Sequence, residues 1–322
     1  MTAPLAPAAV PPNSSAVARR TRPRGRDPRA RGPRGQVRLL FLLPATIFLG
    51  LFSLYPLLQL VRMSVSAVSA ATLNGEWLFT GLENFNRGFV GGENTDALVR
   101  TGVFVLIVTT LGMIGGLTAA IALRTPGRWS GFLLALMVFV WALPPVVNGS
   151  VWKFLLGDAG LFNALLLGSG LRDTAVPFLY DQYWALMAVA FVNSFAVIPF
   201  NALVFRAALM NIPPETFEAA ALDGASKSQE LRHIMLPSVR PTTLVLLVLT
   251  IVYGFRSFDF IYVMTYGGPG TATNTLPFLG YLQAFVRYDF GLGSATSVVT
   301  VLGVLVLAFV YARSIRREES ES

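Results

Sequence analysis

Cysteine is absent from this 322-residue chain, and histidine occurs once, as His233. No disulfide framework, thiolate nucleophile or Cys-type metal site can be built from it. A single imidazole supports neither a His-cluster metal site nor a Ser-His-Asp constellation. Lysine is nearly missing too, present only as Lys153 and Lys227, preceded by Trp152 and Ser226. A P-loop needs Gly-Lys followed by Ser or Thr, because its lysine neutralises phosphate charge. The chain itself therefore does not hydrolyse ATP by that route, and its energy must come from another polypeptide or from an ion gradient. Charge is scarce overall, at 13% of residues against 54% hydrophobic, where a soluble domain carries about 25% charged residues. The bilayer is the expected solvent for most of this chain.

A hydrocarbon core of about 30 Å takes about 20 helical residues to cross. Six stretches qualify, at about 39–61, 101–124, 131–152, 184–205, 241–264 and 291–312. The first is too long for the apolar core of a cleaved signal, and further spans follow it, so it reads as a retained helix. Pro44, Pro56, Pro144, Pro145 and Pro199 fall inside these stretches, which membrane helices tolerate where neighbours satisfy the freed carbonyls. Gly112, Gly116 and Ala120 recur at a spacing that lets another helix approach closely.

Basic residues set the orientation. Nine arginines lie between Arg19 and Arg38, and 18 of the 25 basic residues gather on one predicted side. That side is the cytoplasm, and it holds both termini and the loop 206–240. The domain reading follows: a disordered basic cytoplasmic tail at 1–38, a six-span region at 39–312 and a cytoplasmic tail at 313–322. The N-terminal tail has too little apolar surface to offset its ordering entropy and is suited to anionic lipid. No aromatic residues interleave with its arginines, which argues against nucleic acid. The connections 62–100, 153–183 and 265–290 form the expected outer cap.

The loop 206–240 carries helix start and stop signals. Pro213 and Pro214 suit a first turn, where a missing N–H costs nothing, and Glu215 and Glu218 sit near the positive end of the helix dipole. Phe217, Ala220 and Ala221 share one side, giving a small-residue face another surface can approach. Asp223-Gly224 ends the helix. Ser226 and Gln229 have capping-box spacing for a second one, which Leu236-Pro237 is expected to stop. A helix pair lying at the inner face of the membrane results. On these signals alone it is either a docking element or an amphipathic connector resting on headgroups.

In the fifth stretch Arg256 and Asp259 lie three apart. Charges at membrane depth face a cavity or each other, so the pair either neutralises itself or serves a relay, and no other span offers a second buried carboxylate. Tyr253, Arg256 and Ser257 share a predicted helical face; Asn193 and Phe200 align at i and i+7 in the fourth span, with Asn201 beside; Asn148 lies in the third. Aromatic faces beside amides and hydroxyls suit a sugar, although a lone Asn also serves as interhelical glue. Asn148, Asn193, Phe200, Tyr253, Arg256 and Ser257 are the substrate-pathway candidates.

The loop resembles the EAA signature of ABC-importer permeases, E-A-A, three residues, G, nine residues, I-x-L-P. Glu218, Ala219, Ala220, Gly224, Ile234, Leu236 and Pro237 all fall in place. Phe258-Asp259-Phe260-Ile261-Tyr262-Val263-Met264-Thr265 followed by Gly267-Gly268-Pro269-Gly270 resembles the carbohydrate-importer permeases of the MalF/UgpA-like type. Leu43-Pro44, Tyr55-Pro56, Asp289-Phe290-Gly291 and Ser297-Val298-Val299 look like the same family, over residues 39–312. Ser228 and Leu231 depart from it, standing where aromatics are common.

The resemblance implies an all-α, six-span type I ABC-importer permease subunit with a cytoplasmic coupling helix pair, in a bacterial or archaeal inner membrane. Glu218, Ala219, Ala220, Asp223, Gly224, Ile234, Leu236 and Pro237 would then carry ATPase coupling. Implied partners are a second, related permease, two ATPase subunits that use ATP and Mg, an extracytoplasmic solute-binding protein and a sugar. The chain would bind no cofactor or metal and catalyse nothing. Rival readings are a gradient-driven secondary transporter, which calls for internal repeats around intramembrane acids, and a membrane enzyme. Glu83, Glu93, Asp96 and Asp158 are too scattered for the latter.

Overall fold

The computed structural model describes residues 34–321. The expected disordered tail lies outside the described residues, except for its last few positions, which enter the first helix. Among the described residues the chain is helical apart from turns and one two-residue strand pair, β1 (Ser66–Ala67) with β2 (Leu78–Phe79), antiparallel. Contacts divide it into two units at Leu54. In the first, α1 (Arg34–Leu49) contains Pro44 and is followed by a π turn, Gly50–Leu54. Its side chains from Phe41 to Leu49 are exposed and apolar but for Thr46.

The second unit starts with α2 (Tyr55–Ser64), followed after the strand pair by α3 (Glu83–Phe89) and α4 (Glu93–Ala122). Next come α5 (Arg128–Ala142), α6 (Pro145–Leu155), α7 (Leu161–Gly168) and α8 (Trp184–Met210). The 206–240 region holds α9 (Pro214–Leu222), α10 (Lys227–Glu230), a π turn Leu231–Met235 and α11 (Leu236–Ser238). The chain ends with α12 (Arg240–Phe255), α13 (Asp259–Met264), α14 (Leu276–Tyr281), a π turn Leu282–Val286 and α15 (Phe290–Glu321). Backbone helix thus continues through 313–321.

Four stretches are long and apolar enough to cross a membrane: Phe41–Ser64, Glu93–Ala122, Trp184–Met210 and Phe290–Phe309. Two bent pairs bring the number to six. The predicted third span is one of them and is not a single rod, because α5 and α6 meet at 104°. Pro144 and Pro145 remove two successive donors, and Leu143, preceding a proline, is extended at ψ 134°. The predicted fifth span also differs. Its helix α12 stops at Phe255, and α13 begins only at Asp259 after the break Arg256–Phe258. The other bent pair joins Lys227–Ser238 to α12 at 67°.

A further correction concerns Pro237. It does not stop the second hairpin helix, which runs on to Ser238. The π turn before it widens the spiral, and the Leu236 N–H bonds back to the Leu231 carbonyl. That accommodates a residue with no N–H of its own.

The centre of the unit is α8, packed lengthwise on α4. The small-residue spacing in α4 serves this contact. A Cβ on Gly116 would lie 2.5 Å from Asn201 Cβ and 3.2 Å from the Ala202 nitrogen. One core cluster joins α4, α8, α13 and α14 through Phe104, Val189, Ile261 and Phe278. A second, at the hairpin end, gathers Ala120, Phe205, Leu209, Met235, Val239 and Leu246.

Candidate functional site

The hairpin is built as its sequence signals expect. Pro213 is extended (ψ 136°), Pro214 opens α9, and Glu215 lies in the first turn. At the far end Gly224 has φ +77°. Its N–H reaches the Ala221 carbonyl at 3.1 Å, and the Ala225 N–H reaches that of Ala220 at 2.9 Å. This is the Schellman pattern, which satisfies two terminal carbonyls through one left-handed residue. Ser226 and Gln229 then form a reciprocal capping box: the Ser226 N–H donates to Gln229 Oε1 at 2.7 Å and the Gln229 N–H to Ser226 Oγ.

No residue of α9 is buried. Glu218, Ala219, Asp223, Leu236 and Pro237 are exposed, and Leu222 is 90% exposed. Ala220, Asp223, Gly224 and Ile234 line a groove of about 280 Å³ between the two helices, together with Gln229, Glu230 and His233, which the sequence reading did not assign to the coupling surface. Glu230 is buried but paired with Lys227 Nζ at 2.6 Å. The expected small-residue face needs amending at Phe217, because this ring turns onto the chain itself. It packs on the lower core and lies under the Arg124 guanidinium.

The six pathway candidates converge on two adjoining cavities. The larger, about 320 Å³, has Asn148, Phe200, Tyr253, Trp141 and Thr250 in its wall. The smaller, about 210 Å³, is lined by Asn193, Tyr253, Arg256, Ser257 and Asp259. Both share Pro145, Tyr253 and Phe260, so the break between α5 and α6 and the break after α12 open onto the same space. Backbone that leaves helical geometry at membrane depth is tolerated only where it meets protein or a cavity.

Arg256 and Asp259 do not neutralise each other. Both are exposed at the break, and no ion pair joins them among the described residues. Asn193 is fully buried and donates Nδ2 to Ser257 Oγ at 2.6 Å, while its Oδ1 has no partner among the described residues. Asn201, in contrast, is interhelical glue. Its Nδ2 bonds Thr250 Oγ1 at 3.1 Å where α4, α8 and α12 meet. Trp141 stacks on Phe200 with centroids 5.8 Å apart, giving the larger cavity an aromatic wall.

At the opposite end from the hairpin, a buried polar network was not legible in the sequence. Gln283 Nε2 donates to Asn94 Oδ1 at 2.7 Å, Thr296 Oγ1 to Gln283 Oε1 at 2.6 Å, and Asn94 Nδ2 to Thr296 Oγ1 at 2.7 Å. Glu93 pairs with Arg287, and Arg87 with Asp289 at 2.7 Å. Asp289 Oδ1 also accepts the Leu292 N–H at 3.0 Å, holding the first turn of α15. That gives the Asp289-Phe290-Gly291 motif a physical role.

Residues 112–319 match the family described as binding-protein-dependent transport system inner membrane component. The chain belongs to that family. It is an inner membrane permease component of an ABC importer, a transport protein and not an enzyme. This permease is 31% identical to the trehalose/maltose transport system permease protein MalF of Thermococcus litoralis, over 85% of its own length and 92% of that relative's. It is 30% identical to the sn-glycerol-3-phosphate transport system permease protein UgpA of Agrobacterium fabrum, covering 86% and 94%. Its fold matches a chain of a crystal structure of a bacterial ABC transporter involved in the import of alginate, with a TM-score of 0.74 at 21% identity, covering 88% and 96%. The type I importer-permease fold expected from the sequence is therefore the fold observed.

Proposed function

We propose that this permease passes a carbohydrate through the cavities at its two helix breaks and is driven through its hairpin by a separate ATPase. The observation that carries the reading is the meeting of both breaks on one space with aromatic and amide walls. Sugar rings stack on aromatic faces such as Trp141, Phe200 and Tyr253, and their hydroxyls suit Asn148, Asn193 and Ser257. An Oδ1 left unpaired in a buried site costs about 1–3 kcal/mol, which a donating sugar hydroxyl at Asn193 would recover. The names of relatives, one of them a trehalose/maltose permease, support this solute class.

On the same reading the hairpin faces the cytoplasm, as the distribution of basic residues favours, and so do both termini. Glu218, Ala219, Ala220, Asp223, Gly224, Ile234, Leu236 and Pro237 form the surface seated in the ATPase. Two such subunits use ATP and Mg, a second and different permease completes the pathway, and an extracytoplasmic binding protein delivers solute to the outer cap. The membrane is that of a bacterium or archaeon.

The test is to reconstitute the complex in liposomes and screen saccharide-loaded binding protein for stimulation of ATP turnover and uptake. At least one saccharide should stimulate both. Asn193→Leu should then lower uptake of that saccharide at least tenfold while basal ATP turnover persists. Stimulation by an ion gradient instead of ATP would overturn the reading.

A further inference from the structure

The turn between α4 and α5 is fastened to the hairpin by a contact outside the coupling signature. The Arg124 guanidinium carbon lies 3.7 Å from the centroid of the Phe217 ring. Phe217 is half-buried and packs on the lower core around Phe205, Leu209 and Met235, so the ring is held in place as a platform. The same turn grips two further helices through one carbonyl. Leu123 O accepts Arg206 Nε from α8 at 2.8 Å and Ser130 Oγ from α5 at 3.0 Å. From there α5 runs about 22 Å, at 1.5 Å per residue, and places Val140 and Trp141 in the wall of the larger cavity.

We propose that Arg124 is a positioning residue whose stack on Phe217 makes α5 follow the hairpin, so that movement reaches the cavity by a second route beside α12. The inference rests on the reading above that an ATPase moves the hairpin. Without the stack, Arg206 still holds the 123–130 turn to α8 and Phe217 still meets the end of α4 through the core that includes Ala120, so the stack is a tie between the turn itself and α9. Arginine suits the task because its planar guanidinium stacks on a ring face and keeps its charge at any accessible pH. Such a stack changes an equilibrium by a factor of about 2 to 30, depending on how far it is desolvated.

The experiment uses the full complex in lipid nanodiscs, compared without nucleotide and trapped with ATP, Mg and vanadate. Hydrogen exchange is followed in two segments, the hairpin 214–231 and the turn 123–131. In the wild type both segments should respond to trapping. In Arg124→Ala, and separately in Phe217→Leu, which keeps the apolar volume but removes the ring face, the hairpin response should persist. The turn response should shrink at least fivefold in both variants. Phe217→Tyr, which restores the face, should restore the response.

A purely structural role would alter the turn equally in both states and leave the difference between them unmoved, and that result would overturn the proposal. So would a turn response that survives in both Arg124→Ala and Phe217→Leu, or one absent from the wild type while the hairpin responds. A wild-type hairpin that ignores trapping would instead sink the ATPase-driven reading, and this proposal with it.

Discussion

Gly224 offers a direct test of the hairpin because its requirement is purely conformational. Its φ is +77°, and a Cβ built there meets nothing within 4 Å. An L side chain in that region costs about 1–2 kcal/mol through its own backbone sterics. A difference of that size is a factor of about 5–30 in the population of the native turn. Asn tolerates the left-handed region better than Ala, and β-branched Val tolerates it worst. Transport by the reconstituted complex should therefore fall in the order Gly, Asn, Ala, Val, with Val reduced at least tenfold. Amounts of the protein in the membrane should stay level, since α9 buries none of its residues. Uptake and ATP turnover measured together would show the second outlasting the first. Wild-type uptake by Gly224→Val would refute the argument. Equal loss across Asn, Ala and Val would refute it differently, by assigning the effect to side-chain bulk against a partner and not to φ.

Two further substitutions test the packing. Gly116→Ala should destabilise the protein by about 1–3 kcal/mol, because the new methyl meets α8 backbone, whereas Gly102→Ala in the same helix has open space and should be neutral or gain up to about 1 kcal/mol. Chemical unfolding in detergent separates the two, and equal effects would contradict the close α4–α8 approach. Gln283→Leu should cost about 1–3 kcal/mol by orphaning Asn94 Oδ1, with faster proteolysis of 282–290, while Thr300→Val, whose hydroxyl bonds the Thr296 carbonyl of its own helix, should leave that segment protected.

What sequence could announce was whatever depends on local chemistry. The Schellman turn at Gly224, the Ser226–Gln229 box and the start at Pro214 are each set by residues within one or two turns, and all three formed. The small residues of α4 were equally legible, since spacing alone puts Gly112, Gly116 and Ala120 on one stripe. The breaks were harder. Pro144-Pro145 was visible as a pair of prolines, but whether neighbours absorb them within one rod or the chain bends through 104° is decided by what surrounds the freed carbonyls. The end of α12 carries no proline at all. It falls where Arg256 and Asp259 avoid burial and Ser257 bonds Asn193, residues 64 positions apart. The Asn94–Gln283–Thr296 network was invisible for the same reason, its members being drawn from elements up to 202 positions apart.

The geometry also explains where the conspicuous polar residues of the spans survive. An unpaired polar group in hydrocarbon is costly, so it survives where it has a partner or a cavity. Asn201 took the first course, with Thr250, and sits in a joint. Asn193, Ser257 and Arg256 took the second, at a break. One element that runs from that break to the hairpin is α12. Helix α12 begins at Arg240, after the 67° bend, and ends at Phe255, next to Arg256 in the cavity wall, about 24 Å away at 1.5 Å per residue. On the proposed reading, a rod with one end at the hairpin and the other in the cavity wall transmits displacement without needing polar residues along its length. Its interior from Leu244 to Val252 is accordingly apolar except for Thr250, which is buried against Asn201. On that reading, such a rod is what lets the cavity respond when the distant hairpin moves.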